Sequence, residues 1–195
     1  MTTREAFLAK VRAAQPDARQ RPAVPLFASP GGDLRARFTH ALAGMGGTCV
    51  EAASAADVLA LIHERFGAQA SVCSASGEVP GTRALDADTP PASLQDVEVG
   101  VVRARFGVAE TGSVWFSEQE YRVNAIGYLV QHLIVLLDPA QIIDGLQDVY
   151  RRPDFRDARY AALVTGPSAT ADIEGVLIRG AQGVRSLTVV WLAPQ

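Results

Sequence analysis

Apolar residues at helical spacing open the chain, and a stretch rich in proline and glycine follows them. Thr2 and Glu5 have the spacing of a capping box, so the pattern predicts an amphipathic helix over residues 2–15. Prolines and glycines interrupt regular structure from there onward. We therefore expect a helical arm with its linker, residues 1–32, ahead of a domain of residues 33–195.

The start of that domain alternates helix, strand, helix and strand. Helices are predicted at 33–45 and 54–66, and short apolar strands follow them at 48–52 and 70–73. Short connections between helices and apolar strands are typical of parallel sheets. The predicted fold class is α/β, with an open and mainly parallel sheet flanked by helices.

The rest of the chain continues this mixture. Residues 74–91 form a long loop, which is either a lid or wall of a site or a disordered surface loop. The other predicted elements, in chain order, are strands 97–106 and 113–116 joined most simply as a hairpin, a buried central strand 129–137, a helix 139–150, a strand 160–165, a helix 171–179 and a strand 187–192.

Composition places the chain among ordinary globular proteins. Of its 195 residues 48% are hydrophobic and 20% charged, which suits one domain with its own core. The formal net charge is −3, and the basic residues form no strong patch, so we expect no nucleic-acid partner. The apolar runs are too short for a membrane span and the first residues do not resemble a signal peptide, which predicts a cytoplasmic protein.

Cofactor motifs are missing from the sequence. Cys49 and Cys73 are far apart, and neither belongs to a Cys-x-x-Cys pair, so we expect neither a zinc site nor an iron–sulfur cluster within this chain. A P-loop needs a lysine after its glycines, and the single lysine is Lys10. We therefore expect no cofactor in the chain itself and place any iron–sulfur cluster in a partner.

A polar segment at 164–174 runs from the end of a predicted strand into a predicted helix. In open α/β sheets ligands lie beyond the carboxyl ends of strands, where a helix N-terminus offers unpaired N–H groups. Gly166 permits close approach, and Ser168 and Thr170 add hydroxyls, so a carboxylate or phosphate could bind. Equally, Ser168 or Thr170 could simply cap the helix, with Asp172 complementing its dipole.

Two further segments carry candidate chemistry. Glu110 lies in a glycine-flanked turn at 107–114, where it could act as a base or nucleophile if desolvated, or could be a turn residue only. Arg185 heads the last strand and could clamp an anion or neutralise nearby acids. From the shared polarity of the strands we expect the 107–114 and 165–174 segments to lie together at one edge of the sheet.

These segments resemble the signature segments of the LUD domain family, of the lactate utilization protein C type. The resemblance rests on Gly-Val-Ala-Glu-Thr-Gly-Ser-Val at 107–114, Thr-Gly-Pro-Ser-Ala-Thr-Ala-Asp-Ile-Glu at 165–174 and Gly-Ala-Gln-Gly-Val-Arg-Ser-Leu at 180–187, in that order. It covers residues 33–195. Family members usually have His-Gly-Pro-Arg where this chain has Gln182-Gly-Val-Arg185, so no role of that histidine carries over.

The resemblance implies a fold similar to the sugar-phosphate isomerase and coenzyme A transferase superfamily. It also implies a subunit of an assembly that oxidises L-lactate to pyruvate with two iron–sulfur proteins as partners. The alternative is a stand-alone transferase or ligase-type enzyme that acts on an acyl-coenzyme A or phosphorylated substrate through Glu110. The candidate ligand-binding residues are Thr111, Gly112, Ser113, Gly166, Ser168, Thr170, Asp172 and Arg185.

Overall fold

The structure is a computed structural model that describes residues 2–16, 22–23 and 25–194. Its helices are α1 (Thr3–Ala13), α2 (Leu34–Gly44), α3 (Ala55–Phe66), α4 (Glu118–Tyr121), α5 (Ile126–Leu129), α6 (Leu146–Arg151) and α7 (Pro153–Asp157). Its strands are β1 (Thr48–Glu51), β2 (Val72–Ser74), β3 (Val99–Arg103), β4 (Gly107–Val108), β5 (Ser113–Ser117), β6 (His132–Leu137), β7 (Ile142–Ile143), β8 (Ala161–Val164), β9 (Ala169–Thr170), β10 (Ile178–Arg179) and β11 (Ser186–Trp191).

A central sheet of five parallel strands confirms the predicted fold class. Its strand order is β1-β11-β6-β3-β2, so β6 lies in the middle as expected. Leu133 and Val135 of β6 belong to the core on one face and Ile134 to the core on the other, because successive strand residues alternate. Helix α3 covers the latter face with Val58 and Ile62.

A second, smaller sheet packs over the other face of the central one. Its strand order is β7-β4-β5-β8; β4 and β8 pair antiparallel with β5, and β7 runs parallel to β4. Phe38 and Leu42 of α2 complete the core between the sheets. The predicted hairpin of 97–106 with 113–116 is wrong, because β3 stays in the central sheet and only β4 turns back onto β5.

Two helices expected in the second half are replaced by other structure. Over residues 139–150 the chain forms a 3₁₀ turn, then β7 and only then α6. Over residues 171–179 the predicted helix is absent: β9 and β10 pair antiparallel and form, with their turn, the 169–179 hairpin. Glu174 and Gly175 in that turn have φ angles of 55° and 68°, which a right-handed helix does not allow.

The predicted opening helix is confirmed as α1. The side chains of Thr2 and Glu5 accept hydrogen bonds from each other's backbone N–H groups, as a capping box requires. None of the residues of α1 is buried. The predicted linker falls partly on residues 17–21 and 24, which lie outside the described residues.

The long loop after β2 packs against the carboxyl edge of the central sheet. Val79 in this loop is fully buried, and Glu78 forms an ion pair with Arg103 at the end of β3. Arg103 also donates a 3.0 Å hydrogen bond to the carbonyl oxygen of Leu192, just beyond β11. The loop is therefore an ordered wall over the carboxyl ends of these strands.

Candidate functional site

The two segments singled out in the sequence meet through the second sheet. The register of β5 against β8 puts Ser113 beside Thr165, and their hydroxyl groups share a hydrogen bond. Thr111 adds a 2.7 Å hydrogen bond to Ser113. The 107–114 and 165–174 segments therefore lie together, but at an end of the second sheet rather than of the central one.

Gly112 and Gly166 press both segments against the end of α2. Their φ angles are 67° and 68°, in the left-handed region that favours glycine. A β-carbon at Gly112 would overlap the backbone nitrogen of Leu42, and one at Gly166 would lie 2.6 Å from the carbonyl oxygen of Met45. Both glycines thus have a packing role besides the ligand contact that their sequence context suggests.

The turn at 165–170 is held by backbone hydrogen bonds and opens no helix. The Ser168 N–H donates to the carbonyl of Val184 at 2.9 Å, and the Gly180 N–H donates to the carbonyl of Ser168 at 2.7 Å. The predicted helix N-terminus is therefore wrong, so an anion at this turn would meet hydroxyl groups rather than a helix dipole. Thr170 donates its hydroxyl hydrogen to Asp172 at 2.7 Å.

A crevice of about 550 Å³ opens between β8 and the first residues of β6 and β11. Leu133, Leu187 and other apolar side chains form much of its wall, while Thr165, Ser168 and Gln182 supply polar groups. A β-carbon at the neighbouring Gly183 would lie 3.4 Å from Ser168 Oγ. The crevice therefore joins the 165–168 turn to the loop that precedes the last strand.

The crevice lies at the amino ends of the parallel strands, which the sequence reasoning did not predict. Strand β8 leads into the 165–174 segment, but it belongs to the second sheet and runs antiparallel to β5. Its carboxyl end is therefore not at the edge where the parallel strands end. The rule that places ligands beyond the carboxyl ends of a parallel sheet does not apply to this segment.

A second pocket, of about 520 Å³, lies on the other side of Ser168 and is called the hairpin pocket here. Ser168 and Gln182 line both this pocket and the crevice. The far side is formed by the 169–179 hairpin, including Thr170, Asp172 and Ile173. Two of the predicted ligand residues, Thr170 and Asp172, thus share a space with Ser168.

Glu110 occupies a different place from Ser168. Its Oε2 accepts a 2.8 Å hydrogen bond from the backbone N–H of Leu146, the first residue of α6. It lines a pocket of about 210 Å³ with the ion pair of Arg37 and Asp144, in which no residue of the 165–174 segment takes part. The Ser29 hydroxyl and the Arg37 guanidinium hold the pKa of Asp144 below its ordinary value. Glu110 therefore caps a helix and is exposed rather than desolvated.

Arg185 precedes the last strand, as predicted, but its side chain is exposed and does not line the crevice. Its backbone N–H donates to the carbonyl of Gln131 at 2.8 Å, and its side chain packs over Gly180. The structure brings it near His132, whose pKa is lowered mainly by burial and further by the positive charge of Arg185. Neither Asp172 nor Glu174 forms an ion pair with it in the described part of the chain.

A tyrosine cluster beside the crevice was missed by the sequence reasoning, since no motif spacing marks it. Tyr128 lines the crevice, and its hydroxyl shares a hydrogen bond with that of Tyr160. Tyr121 is fully buried, and its hydroxyl contacts no hydrogen-bond partner among the described residues. Burial raises the pKa of Tyr121 and of Tyr160, so both phenols stay protonated donors at neutral pH.

Comparison with known proteins decides the family. The model of the LUD domain matches residues 91–192. The chain belongs to the LUD domain family. A DUF162 family protein from Deinococcus radiodurans, solved by crystallography at 1.70 Å resolution, is 16% identical and has a TM-score of 0.60 over 82% of this chain and 96% of that one. This likeness confirms the fold. No curated protein matches the sequence.

The LUD domain family is associated with lactate utilization, which agrees with the resemblance of the three segments. The matched stretch of the LUD domain contains every candidate residue from Glu110 to Arg185. Gln182, at the position where the resemblance predicts a histidine, lines the crevice.

The described residues of this LUD domain contain no group of three or more His, Cys, Asp or Glu side chains that could hold a metal ion. Over the same residues no helix is long and apolar enough to cross a bilayer. Cys49 and Cys73 are free thiols, and burial raises the pKa of each.

Proposed function

We propose that this LUD domain is a ligand-binding subunit of an assembly that oxidises L-lactate to pyruvate, working with iron–sulfur partner proteins. The association of the family with lactate utilization supports the substrate. Oxidation of a hydroxy acid to an oxo acid releases a pair of electrons, which the clusters of the partners would accept. The chain's own part is to hold a small carboxylate or phosphate.

The crevice is the observation that carries the ligand-binding part of this proposal. Lactate has a methyl group, a hydroxyl and a carboxylate, so it needs an apolar contact and several hydrogen-bond donors. Leu133 and Leu187 offer the former, and Ser168, Thr165 and Gln182 offer the latter. Predominantly apolar walls with a few convergent polar groups are typical of small-molecule sites.

The expected affinity follows from the kind of donor available. The described lining of the crevice contains hydroxyl and amide groups and no arginine or lysine. Hydrogen bonds from neutral donors to a carboxylate contribute about 1.5–3 kcal/mol each, and part of this offsets the freedom that the ligand loses on binding, so two or three of them correspond to roughly 4 kcal/mol, a millimolar dissociation constant.

Calorimetry and chemical-shift titration with L-lactate, pyruvate and phosphate test the ligand site. We expect millimolar binding to the parent chain and about tenfold weaker binding to the double variant Ser168→Ala with Gln182→Ala. Ser93→Ala is the matched control, because Ser93 does not line the crevice and its hydroxyl donates to the carbonyl of Pro90, and it should bind like the parent. Equal binding by the double variant would remove the crevice from the proposal.

The assembly is tested separately from the crevice. We expect the chain, isolated from its native cells, to carry cysteine-rich partners together with iron and acid-labile sulfide. L-lactate should reduce an artificial electron acceptor with the complex and not with the chain alone. Oxidation of lactate by the purified chain alone would contradict the proposed division of labour.

The alternative function, in which Glu110 is the nucleophile of a transferase, predicts a covalent intermediate on this residue. In a coenzyme A transferase reaction the Glu110 carboxylate would displace coenzyme A from the acyl thioester and form a mixed anhydride. The released thiolate would then attack the glutamyl carbonyl, which forms a glutamyl thioester and releases the acyl group as a free carboxylate. Borohydride reduces that thioester to an alcohol, which mass measurement detects. Because one oxygen of Glu110 is engaged by the Leu146 N–H, we expect no trapped product; a trapped product absent from Glu110→Gln would establish the transferase.

A further inference from the structure

The 169–179 hairpin exposes four large apolar side chains within six residues. Ile173, Val176, Leu177 and Ile178 are each exposed by 40–69%. Isolated exposed apolar side chains are common, but a cluster of them on one protruding element marks an interaction surface. Asp172 and Glu174 carry two negative charges within the same turn, so the hairpin tip is apolar with an acidic edge.

Helix α1 has the complementary surface. Phe7 and Val11 are exposed by 64% and 44% and lie one turn apart on the same side of the helix. Lys10 and Arg12 fall on either side of this apolar stripe at the helical spacing of 3.6 residues per turn. The apolar stripe is therefore flanked by one basic side chain on each side, and the helix has no buried residue.

We propose that α1 of one copy of this chain docks on the 169–179 hairpin of a second copy. In this contact Phe7 and Val11 lie against Ile173 and Leu177, and the basic side chains that flank the helix stripe lie near the two acidic side chains that adjoin Ile173 in the chain. Both apolar surfaces are then removed from water, which is the main driving force for association.

The size of the contact favours a mutual exchange of arms. An 11-residue helix is about 16 Å long and about 10 Å across, so one face of it covers far less than the roughly 800 Å² per partner of a stable interface. In a two-fold dimer each copy gives one helix and receives one, so the buried area doubles; it stays below that of a standard stable interface, and the expected dimer is weak and depends on protein concentration. The received helix would also lie beside the hairpin pocket, since Ile173 and Ile178 line it.

Charge reversal on the full-length chain tests this contact. Sedimentation velocity should show a dimer of the parent chain that high salt weakens. Lys10→Glu with Arg12→Glu, or Asp172→Lys with Glu174→Lys, should each raise the dissociation constant about tenfold or more. An equimolar mixture of the two variants should dimerise again, because the acidic helix of one then meets the basic hairpin of the other in both contacts.

Apolar substitutions provide the control. Leu177→Asp should abolish the dimer, and Leu26→Asp should leave it unchanged, since Leu26 is 64% exposed but belongs to neither surface. Circular dichroism confirms that each variant is folded. A parent chain that stays monomeric, a dimer indifferent to both reversals, or a mixture that does not dimerise would overturn the proposal.

Discussion

Single residues determine how the signature segments are placed. Gly112 and Gly166 allow two separate turns to approach the backbone of α2, and Ser113 ties one turn to the other through Thr165. Glu110 shows the opposite case: its turn resembles a catalytic position in sequence, while its carboxylate caps α6. Whether a carboxylate acts as a base or a cap depends on its neighbours, which local sequence does not specify.

Replacing Gly112 should have a large effect on stability. Gly112→Ala adds a β-carbon that overlaps the backbone of α2 and sits at a φ of 67°, so we expect a loss of about 2–4 kcal/mol in the free energy of unfolding. Gly44→Ala is the matched control, because a β-carbon there meets nothing within 4 Å. It should stabilise helix α2 by up to about 1 kcal/mol. Urea denaturation of both variants measures the difference, and similar values would contradict the packing role of Gly112.

Among the secondary-structure elements, helices α1 and α3 both begin with a capping box but differ in what they bury. Ser54 and Asp57 form a capping box on α3, as Thr2 and Glu5 do on α1. Helix α3 packs Val58 and Ile62 into the core, whereas α1 packs nothing. Only the capping box of α3 therefore contributes to the cooperative unfolding of the domain.

The two caps should respond differently to the same kind of change. Ser54→Ala is expected to lower the free energy of unfolding by about 1 kcal/mol, because the backbone N–H of Asp57 loses the Ser54 Oγ that accepts its hydrogen bond. Thr2→Ala should leave the global transition unchanged and reduce only the helical signal of α1. Thermal and urea melts of dilute samples test this. An equal loss in both variants would show that α1 belongs to the folded core.

The 169–179 hairpin shows why helical spacing alone can mislead. Ile173, Val176 and Leu177 recur as they would on one face of a helix, but all three are exposed. Because β9 and β10 pair with each other and Glu174 has a positive φ angle, the residues between them form a turn and not a helix. A short apolar pattern indicates which residues are apolar neighbours, but it does not by itself determine whether their backbone is helical or extended.

At the scale of the whole molecule, His132 connects several elements of the central layer. Its ring stacks on Phe66 of α3 at 4.5 Å, and its Nδ1 lies 2.8 Å from the hydroxyl of Ser186 on β11. Burial lowers the pKa of His132 below its ordinary value; Glu98 opposes this effect and Arg185 adds to it. The folded state therefore favours the neutral ring.

This gives stability a predictable dependence on pH. Between the lowered pKa and the unfolded value of about 6.5, the unfolded chain binds more protons than the folded one, so stability falls as the pH drops through that window. His132→Gln should lessen this fall. His63→Gln, at an exposed position of α3, should retain it. Denaturation at a series of pH values measures both, and an unchanged slope in His132→Gln would refute the assignment.

Features that depend on neighbours along the chain could be predicted from the amino-acid sequence. Alternating helices and apolar strands established the parallel α/β class, and the spacing of Thr2 and Glu5 located the start of α1. The three signature segments indicated the LUD domain family. These features follow from periodicity and from contacts within a few residues, which can be recognised without a fold.

The sheet that each strand joins, and the contacts that each candidate side chain makes, became visible only in the folded chain. The pairing of β8 with β5 moved the 165–168 turn to the amino ends of the parallel strands, away from the edge that the α/β rule predicts. The same folding separated Glu110 from Ser168 and brought Ser113 to Thr165. Such contacts join residues far apart in the chain, and they depend on strand pairing and burial across the whole molecule rather than on local propensity.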